Sequence, residues 1–157
     1  RTAQWDDPTR GYFMNGFVGL QIALTSHWPL DAMVLMLGTN DVKDRFCATP
    51  EAVTGGIAGL IDLVQGAEMS ARHPGLKVLL ICPPPCYPAG LLAGEFRLAA
   101  AKARALAPLY ADLAAARGLG FLDAGTVMEV SPVDGVHFTP EGHAALAEAV
   151  SGAFSAL

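Results

Sequence analysis

Three short apolar runs along the chain have the length of buried strands. PLDAMVLMLG, at residues 29–38, begins with proline and ends with glycine. KVLLIC, at residues 77–82, is followed by three prolines. LGFLD, at residues 119–123, is the third. Unbroken apolar runs of this length are typical of strands that are covered on both faces. The pattern therefore predicts three buried strands, the first of them centred on Ala32–Leu37.

Helices are predicted before, between and after these strands. Residues 15–27 favour one helix, and a second is expected from Thr49-Pro50-Glu51 to about Arg72. An alanine-rich helix is expected over about 94–117, where Pro108 predicts a kink or two consecutive helices. The last helix begins at Thr139-Pro140-Glu141. In both Thr-Pro-Glu sequences, threonine suits the N-cap, proline the first helical position and glutamate the positive end of the helix dipole.

The alternation of helix and strand predicts an α/β fold with a parallel sheet and helices on both of its faces. With 157 residues, the chain is expected to form one domain. Reactive groups in such folds gather beyond the carboxyl ends of the strands. Two segments lie there, Gly38-Thr39-Asn40-Asp41 after the first strand and the loop from Asp134 to His137 after the third.

Composition removes several classes of function. Hydrophobic residues make up 52% of the chain and charged residues 16%, yet no apolar run is long enough to cross a membrane. The net charge of −5 and the scattered lysines and arginines argue against a nucleic-acid partner. Three cysteines form neither a disulfide framework nor a paired zinc motif, which favours a cytoplasmic location.

Asp134 and His137 form the first candidate for chemistry. An imidazole titrates near neutral pH, and a carboxylate on its other nitrogen fixes the tautomer that a general base needs. Gly135 lets the loop turn between them. The same residues also suit an ordinary turn before a helix, so the pair by itself leaves both interpretations open.

The segment Gly38-Thr39-Asn40-Asp41 is the second candidate. Asn40 could offer its amide to an oxyanion that forms in the transition state, with Gly38 leaving room behind it. Asp41 is expected to brace the local backbone rather than react. Gly, Asn and Asp also dominate ordinary turns, so this interpretation has a structural alternative as well.

Taken together, LMLGTND at 35–41 and DGVHF at 134–138 resemble two conserved blocks of the SGNH, or GDSL, hydrolases. The stretches HWPLDAMVLMLGTNDVKDRF, KVLLICPPP and FLDAG are similar to the bacterial arylesterase and acyltransferase branch. The resemblance implies a flavodoxin-like three-layer α/β/α fold and hydrolysis of small acyl or aryl esters by a Ser-His-Asp triad.

The same resemblance assigns roles to individual residues. Asp134 and His137 would be the acid and base of the triad, and Asn40 would donate to the oxyanion. No metal and no cofactor are expected. Residues that the resemblance places near the substrate are Trp5, Tyr87 and Phe138; packing of these aromatic rings over the rim of the sheet is the structural alternative.

The nucleophile of that family is absent from these 157 residues. No Gly-Asp-Ser occurs, so we expect the serine to come from a missing N-terminal segment that also carries strands of the sheet. The strand at Ala32–Leu37 would then be an open edge, and the chain would pair with that segment, form homo-oligomers or dissolve poorly. The residues Ser131, Ser26 and Cys86 are not favoured as replacements for the serine.

Two alternatives remain. A zinc site built from Asp134, His137 and His143 is less favoured, because the helical spacing of metal-binding motifs is absent. The chain could instead be a truncated or degenerate relative that acts as a binding or interaction module without catalysis.

Overall fold

The computed structural model describes all 157 residues and contains a three-stranded parallel sheet. The strands are β1 (Ala32–Leu35), β2 (Lys77–Cys82) and β3 (Gly120–Asp123), arranged in the order β1-β2-β3. In the register of the sheet, Val34 lies beside Leu79, and Leu80 lies beside Phe121. The predicted parallel arrangement is confirmed.

Five helices alternate with these strands as the sequence predicts. They are α1 (Gly16–Ser26), α2 (Pro50–Gln65), α3 (Ala67–Arg72), α4 (Ala99–Arg117) and α5 (Pro140–Ser155). Both threonine caps are present: the hydroxyl oxygen of Thr49 accepts from the Ala52 N–H, and that of Thr139 accepts from the Gly142 N–H.

Two helix predictions need correction. The helix expected from residue 49 to 72 is broken at Gly66, whose extended backbone (φ −62°, ψ 153°) ends α2 and starts α3. The helix expected over 94–117 begins only at Ala99 and is a single helix through Pro108. Buried Leu106 and Tyr110 flank Pro108 and belong to the same core, so packing holds both halves of α4 on one surface.

Helices cover both faces of the sheet. Leu80 and Cys82 share one core cluster with residues of α2 and α4, whereas Leu79 and Ile81 pack with residues of α5 on the other face. Side chains alternate between the faces of a strand, so β2 is buried on both sides. The three-layer α/β/α arrangement is confirmed.

β1 forms one edge of the sheet. It pairs only with β2, and Val34 in its middle is 44% exposed. The expected open edge at this strand is therefore a feature of the structure. None of the helices has the length and apolar character that a membrane crossing requires.

Candidate active site

The loop between β3 and α5 holds Asp134 against His137. The Asp134 Oδ2 atom lies 2.6 Å from Nδ1 of His137, and its Oδ1 accepts from the backbone N–H groups of His137 at 2.9 Å and Val136 at 3.0 Å. The bond to the imidazole and the two backbone donors hold the pKa of Asp134 down at about 2. Asp134 is thus ionised at neutral pH and favours the tautomer with a proton on Nδ1, which leaves Nε2 of His137 free to accept one.

A neighbouring loop supports this dyad. Tyr87, beyond β2, donates its N–H to the carbonyl oxygen of Gly135 at 3.0 Å. Gly135 has φ +71°, and a Cβ at this position would overlap the carbonyl oxygen of Tyr87. Ser131 closes the loop from the other side, because its N–H donates to the carbonyl oxygen of His137 at 2.7 Å. Glycine is therefore required between the acid and the base by both conformation and space.

Asn40 lies beyond β1 and lines two cavities together with His137. One cavity, of about 350 Å³, is lined by both residues together with Thr39, Val136, Phe138 and His143. The Nδ2 atom of Asn40 donates to the carbonyl oxygen of Arg1 at 3.2 Å. An amide nitrogen carries two hydrogens, so the second is available for an acceptor in the cavity.

Gly38 packs against α4 behind Asn40. Its φ is +127°, and a Cβ here would lie 2.6 Å from the hydroxyl oxygen of Tyr110. That hydroxyl donates to the carbonyl oxygen of Leu37 at 3.0 Å. Because Gly38 has no Cβ, the turn at Gly38–Asp41 can pack against buried Tyr110 while Asn40 lines the cavity.

Asp41 was expected to brace the local backbone, and the structure shows that it braces the start of the chain instead. Its side chain is fully buried, and its Oδ1 accepts from the Ala3 N–H at 2.7 Å. The other oxygen, Oδ2, has no hydrogen-bond partner. Burial raises the pKa of Asp41 to about 6. The segment Arg1–Ala3 is thus held at two points: Asn40 bonds the carbonyl of Arg1, and Asp41 bonds the N–H of Ala3.

A second cavity shared by Asn40 and His137, of about 210 Å³, has a charged wall. Nζ of Lys43 lies 2.7 Å from Glu95 and 5.3 Å from the centre of the Phe96 ring. Glu95 also pairs with Arg45. The buried lysine is therefore neutralised by a carboxylate rather than left free. Sequence reasoning missed this pair, because the two residues are brought together only by the fold.

The three residues expected near the substrate are placed differently from one another. Phe138 lines the cavity of Asn40 and His137, and its ring packs against that of His143 at 5.2 Å. Trp5 stacks on Phe46 at 6.2 Å, and Tyr87 lines another cavity with Met128 and Val130. Phe138 is the one of the three that lines the cavity of Asn40 and His137, whereas the Tyr87 ring lies beside Gly135 of the dyad loop, 3.1 Å from the position of a Cβ there.

None of the alternative nucleophiles makes a hydrogen bond to Nε2 of His137. The Ser131 hydroxyl oxygen accepts from the Val133 N–H at 3.2 Å, and Ser26 ends α1 on the side where β1 begins. Cys86 is buried, which raises its pKa to about 11 and keeps it a neutral thiol. No cluster of three His, Cys, Asp or Glu side chains is arranged to hold a metal ion.

Comparison with known proteins places this site in a family. The model of the GDSL-like lipase/acylhydrolase family matches residues 7–145. The chain belongs to this family. A search of curated proteins found no match. Membership confirms the resemblance found in the sequence and the predicted enzyme class, a carboxylic ester hydrolase.

Solved structures of other family members share the fold. Est24, a carbohydrate acetylesterase from Sinorhizobium meliloti, superimposes with a TM-score of 0.92 at 33% identity, over 99% of this chain and 74% of Est24. The native aryl esterase of M. smegmatis gives a TM-score of 0.85 at 37% identity, over 97% of this chain and 74% of that protein. A putative arylesterase from Agrobacterium tumefaciens str. C58 gives 0.85 at 37% identity, over 97% and 73%. The arylesterase branch is thereby confirmed as a structural relative.

Proposed function

We propose that this member of the family hydrolyses small acyl esters, aryl esters among them, by a Ser-His-Asp mechanism. One observation carries the proposal: Asn40 and His137 face a common cavity, while Asp134 binds the far nitrogen of the imidazole at 2.6 Å. This is the arrangement that acyl transfer through a hydroxyl nucleophile requires.

In the proposed reaction, Nε2 of His137 takes the proton of a serine hydroxyl as the serine oxygen attacks the ester carbonyl carbon. The carbonyl π electrons move to the oxygen, and the Asn40 amide stabilises the oxyanion. When the tetrahedral intermediate collapses, the leaving alkoxide takes the proton from the imidazolium. Asp134 stays ionised and holds the imidazolium in place. Water, or another alcohol in a transfer reaction, then releases the acyl group by the same steps.

The serine is proposed to come from sequence that precedes Arg1. The amide of Asn40 donates to the carbonyl oxygen of Arg1 at 3.2 Å, so Arg1 adjoins the wall of the cavity. A cytoplasmic location also stays a proposal, supported by three unpaired cysteines.

The open edge of β1 supports a proposal about assembly. β1 has unpaired N–H and C=O groups on its free side, and Val34 within it is exposed. Such an edge is a template for another strand. We propose that this edge pairs with the preceding segment or with a second copy of the chain. Sedimentation velocity tests the proposal, and a stable, monodisperse monomer would contradict it.

Hydrolysis of p-nitrophenyl acetate tests the proposed reaction, both with this chain alone and with the chain extended upstream. In an active form, Asn40→Ala should lower kcat by about 10²–10³, because one oxyanion donor is lost. Gln65→Ala is the matched control: the Gln65 amide also donates to a backbone carbonyl, that of Arg117, but lies outside the site. Its kcat should be unchanged.

Each result has a distinct meaning. Turnover by the 157 residues alone would show that the nucleophile lies within them. Absence of turnover in both forms would refute the esterase mechanism and favour the interpretation as a non-catalytic binding module. An equal loss of kcat in Asn40→Ala and Gln65→Ala would refute the role of Asn40.

A further inference from the structure

A third cavity beside His137 is apolar and lies away from Asn40. It has a volume of about 440 Å³, and its lining residues are Gly90, Leu91, Leu92, Val133, Asp134 and His137. Leu91 is 101% exposed and Val133 is 78% exposed. Single exposed apolar side chains are common, but two of them line one groove next to the dyad.

The walls of this groove are in contact with each other. Leu91 and Leu92 belong to the short 3₁₀ helix Gly90–Leu92, and Val133 precedes the acid of the dyad. Gly90 has φ +49°, and a Cβ on it would overlap the carbonyl oxygen of Val133. The backbones of the two walls are therefore as close as glycine permits.

The position of the groove relative to the proposed chemistry suggests its occupant. Asn40 lines the other two cavities of His137 but not this one, so the oxyanion lies on their side. The leaving oxygen must lie within hydrogen-bond reach of His137, because the imidazolium returns the proton to it. The groove borders His137, and Asn40 is not among its lining residues. An alcohol held at His137 can therefore extend into the groove without occupying the cavities that Asn40 lines.

The chemistry of the lining decides which alcohol fits. Asp134 is the one ionisable side chain besides His137 in the groove, and both of its oxygens are already bonded. The hydroxyl groups of a sugar would lose water there and find few partners, which is unfavourable. An aromatic ring would instead cover Leu91 and Val133 and remove apolar surface from water.

With the alcohol in the groove, the acyl group lies on the side of Asn40. One of the two cavities there, of about 210 Å³, contains the Lys43–Glu95 pair. A long acyl chain would displace water from these charges without replacing its hydrogen bonds, whereas an acetyl group leaves that water in place. The two cavities therefore favour a short acyl group joined to an apolar alcohol.

We propose that the groove of Leu91, Leu92 and Val133 is the leaving-group subsite and selects esters of aryl alcohols over esters of sugars. This inference rests on the proposed esterase function and adds the residues that determine specificity. Leu91 and Val133 contact the alcohol and take no part in proton transfer.

The kinetic test uses whichever form of the protein hydrolyses p-nitrophenyl acetate and compares its kcat/KM for phenyl acetate and glucose pentaacetate. Leu91→Ser and Val133→Ser should each lower kcat/KM for phenyl acetate by about 10-fold, which is the low end of the effect of losing an apolar contact in a pocket. The value of kcat/KM for the sugar ester should stay nearly unchanged. Leu98→Ser is the control, because Leu98 is 66% exposed but outside the groove. An equal effect on both esters, or no effect, would overturn the assignment.

A binding test without turnover separates this inference from the proposed function. Phenol, added to the ¹⁵N-labelled chain, should shift the backbone amide signals of Leu91, Val133 and His137, and methyl glucoside should not. If no ester is hydrolysed but phenol gives these shifts, the subsite stands and the esterase mechanism fails. If phenol leaves the three signals unchanged, or shifts Leu98 equally, the subsite is refuted whether or not esters are cleaved.

Discussion

Gly135→Ala is the substitution that tests how the dyad is held in place. Gly135 has φ +71° and carries the carbonyl that accepts the N–H of Tyr87 at 3.0 Å. An alanine in left-handed backbone is unfavourable by about 1–2 kcal/mol. The added Cβ would also overlap the carbonyl oxygen of Tyr87 and lie 3.1 Å from its carbonyl carbon.

The structure supplies a matched control for the cost of placing alanine in left-handed backbone. Gly118, at the end of α4, has φ +65°, and no atom lies within 4 Å of the position that a Cβ would occupy. Gly118→Ala should therefore lower the free energy of unfolding by about 1–2 kcal/mol through conformation alone. Gly135→Ala adds the overlap with Tyr87, and relief of that overlap breaks a hydrogen bond worth about 0.5–1.5 kcal/mol. We expect a total loss of about 1.5–3.5 kcal/mol, the sum of these two terms.

Two measurements check this expectation. Urea denaturation gives the free energies of unfolding, and the ¹H NMR spectrum in water reports the proton between Nδ1 of His137 and Asp134 at low field. Gly135→Ala should shift or broaden that signal, whereas Gly118→Ala should leave it unchanged. Equal losses of stability in the two variants, with the signal intact in both, would refute the claim that the Tyr87 loop positions the dyad.

Two other predictions use buried groups. The pKa of Asp41 is raised to about 6, so the folded state holds this proton more tightly than the unfolded state, and stability should fall as pH rises from about 4 through 6. By pH 7 this lowers the free energy of unfolding by about 3 kcal/mol. Asp41→Asn should remove this part of the pH dependence, as measured by urea denaturation at several pH values. The same change of stability with pH in both proteins would contradict the prediction. Among the cysteines, exposed Cys47 should react with a thiol reagent in the native state while the two buried ones react only after unfolding, and labelling of all three at one rate would contradict this.

The elements of this fold could be predicted from the sequence because their signals are local. The apolar run at Lys77–Cys82 predicts a strand by its own composition, and Thr49 and Thr139 cap the helices that start directly after them. Asp134 and His137 are separated by only two residues, so one turn is sufficient to join them. Of the two outcomes predicted for Pro108, two consecutive helices was wrong: proline disfavours a helix interior locally, but packing keeps α4 as one helix.

Side-chain directions and distant partners were decided by the tertiary structure alone. The parallel sheet predicts that Asn40 and His137 lie at one edge, yet it does not predict that Trp5 stacks on Phe46 or that Leu91 and Val133 line one groove. Capping, turn formation and burial of a strand depend on residues close in sequence, whereas contacts between loops depend on how the whole core aligns them. The sequence therefore determined which groups can react, and the packing of loops determined which surfaces surround them.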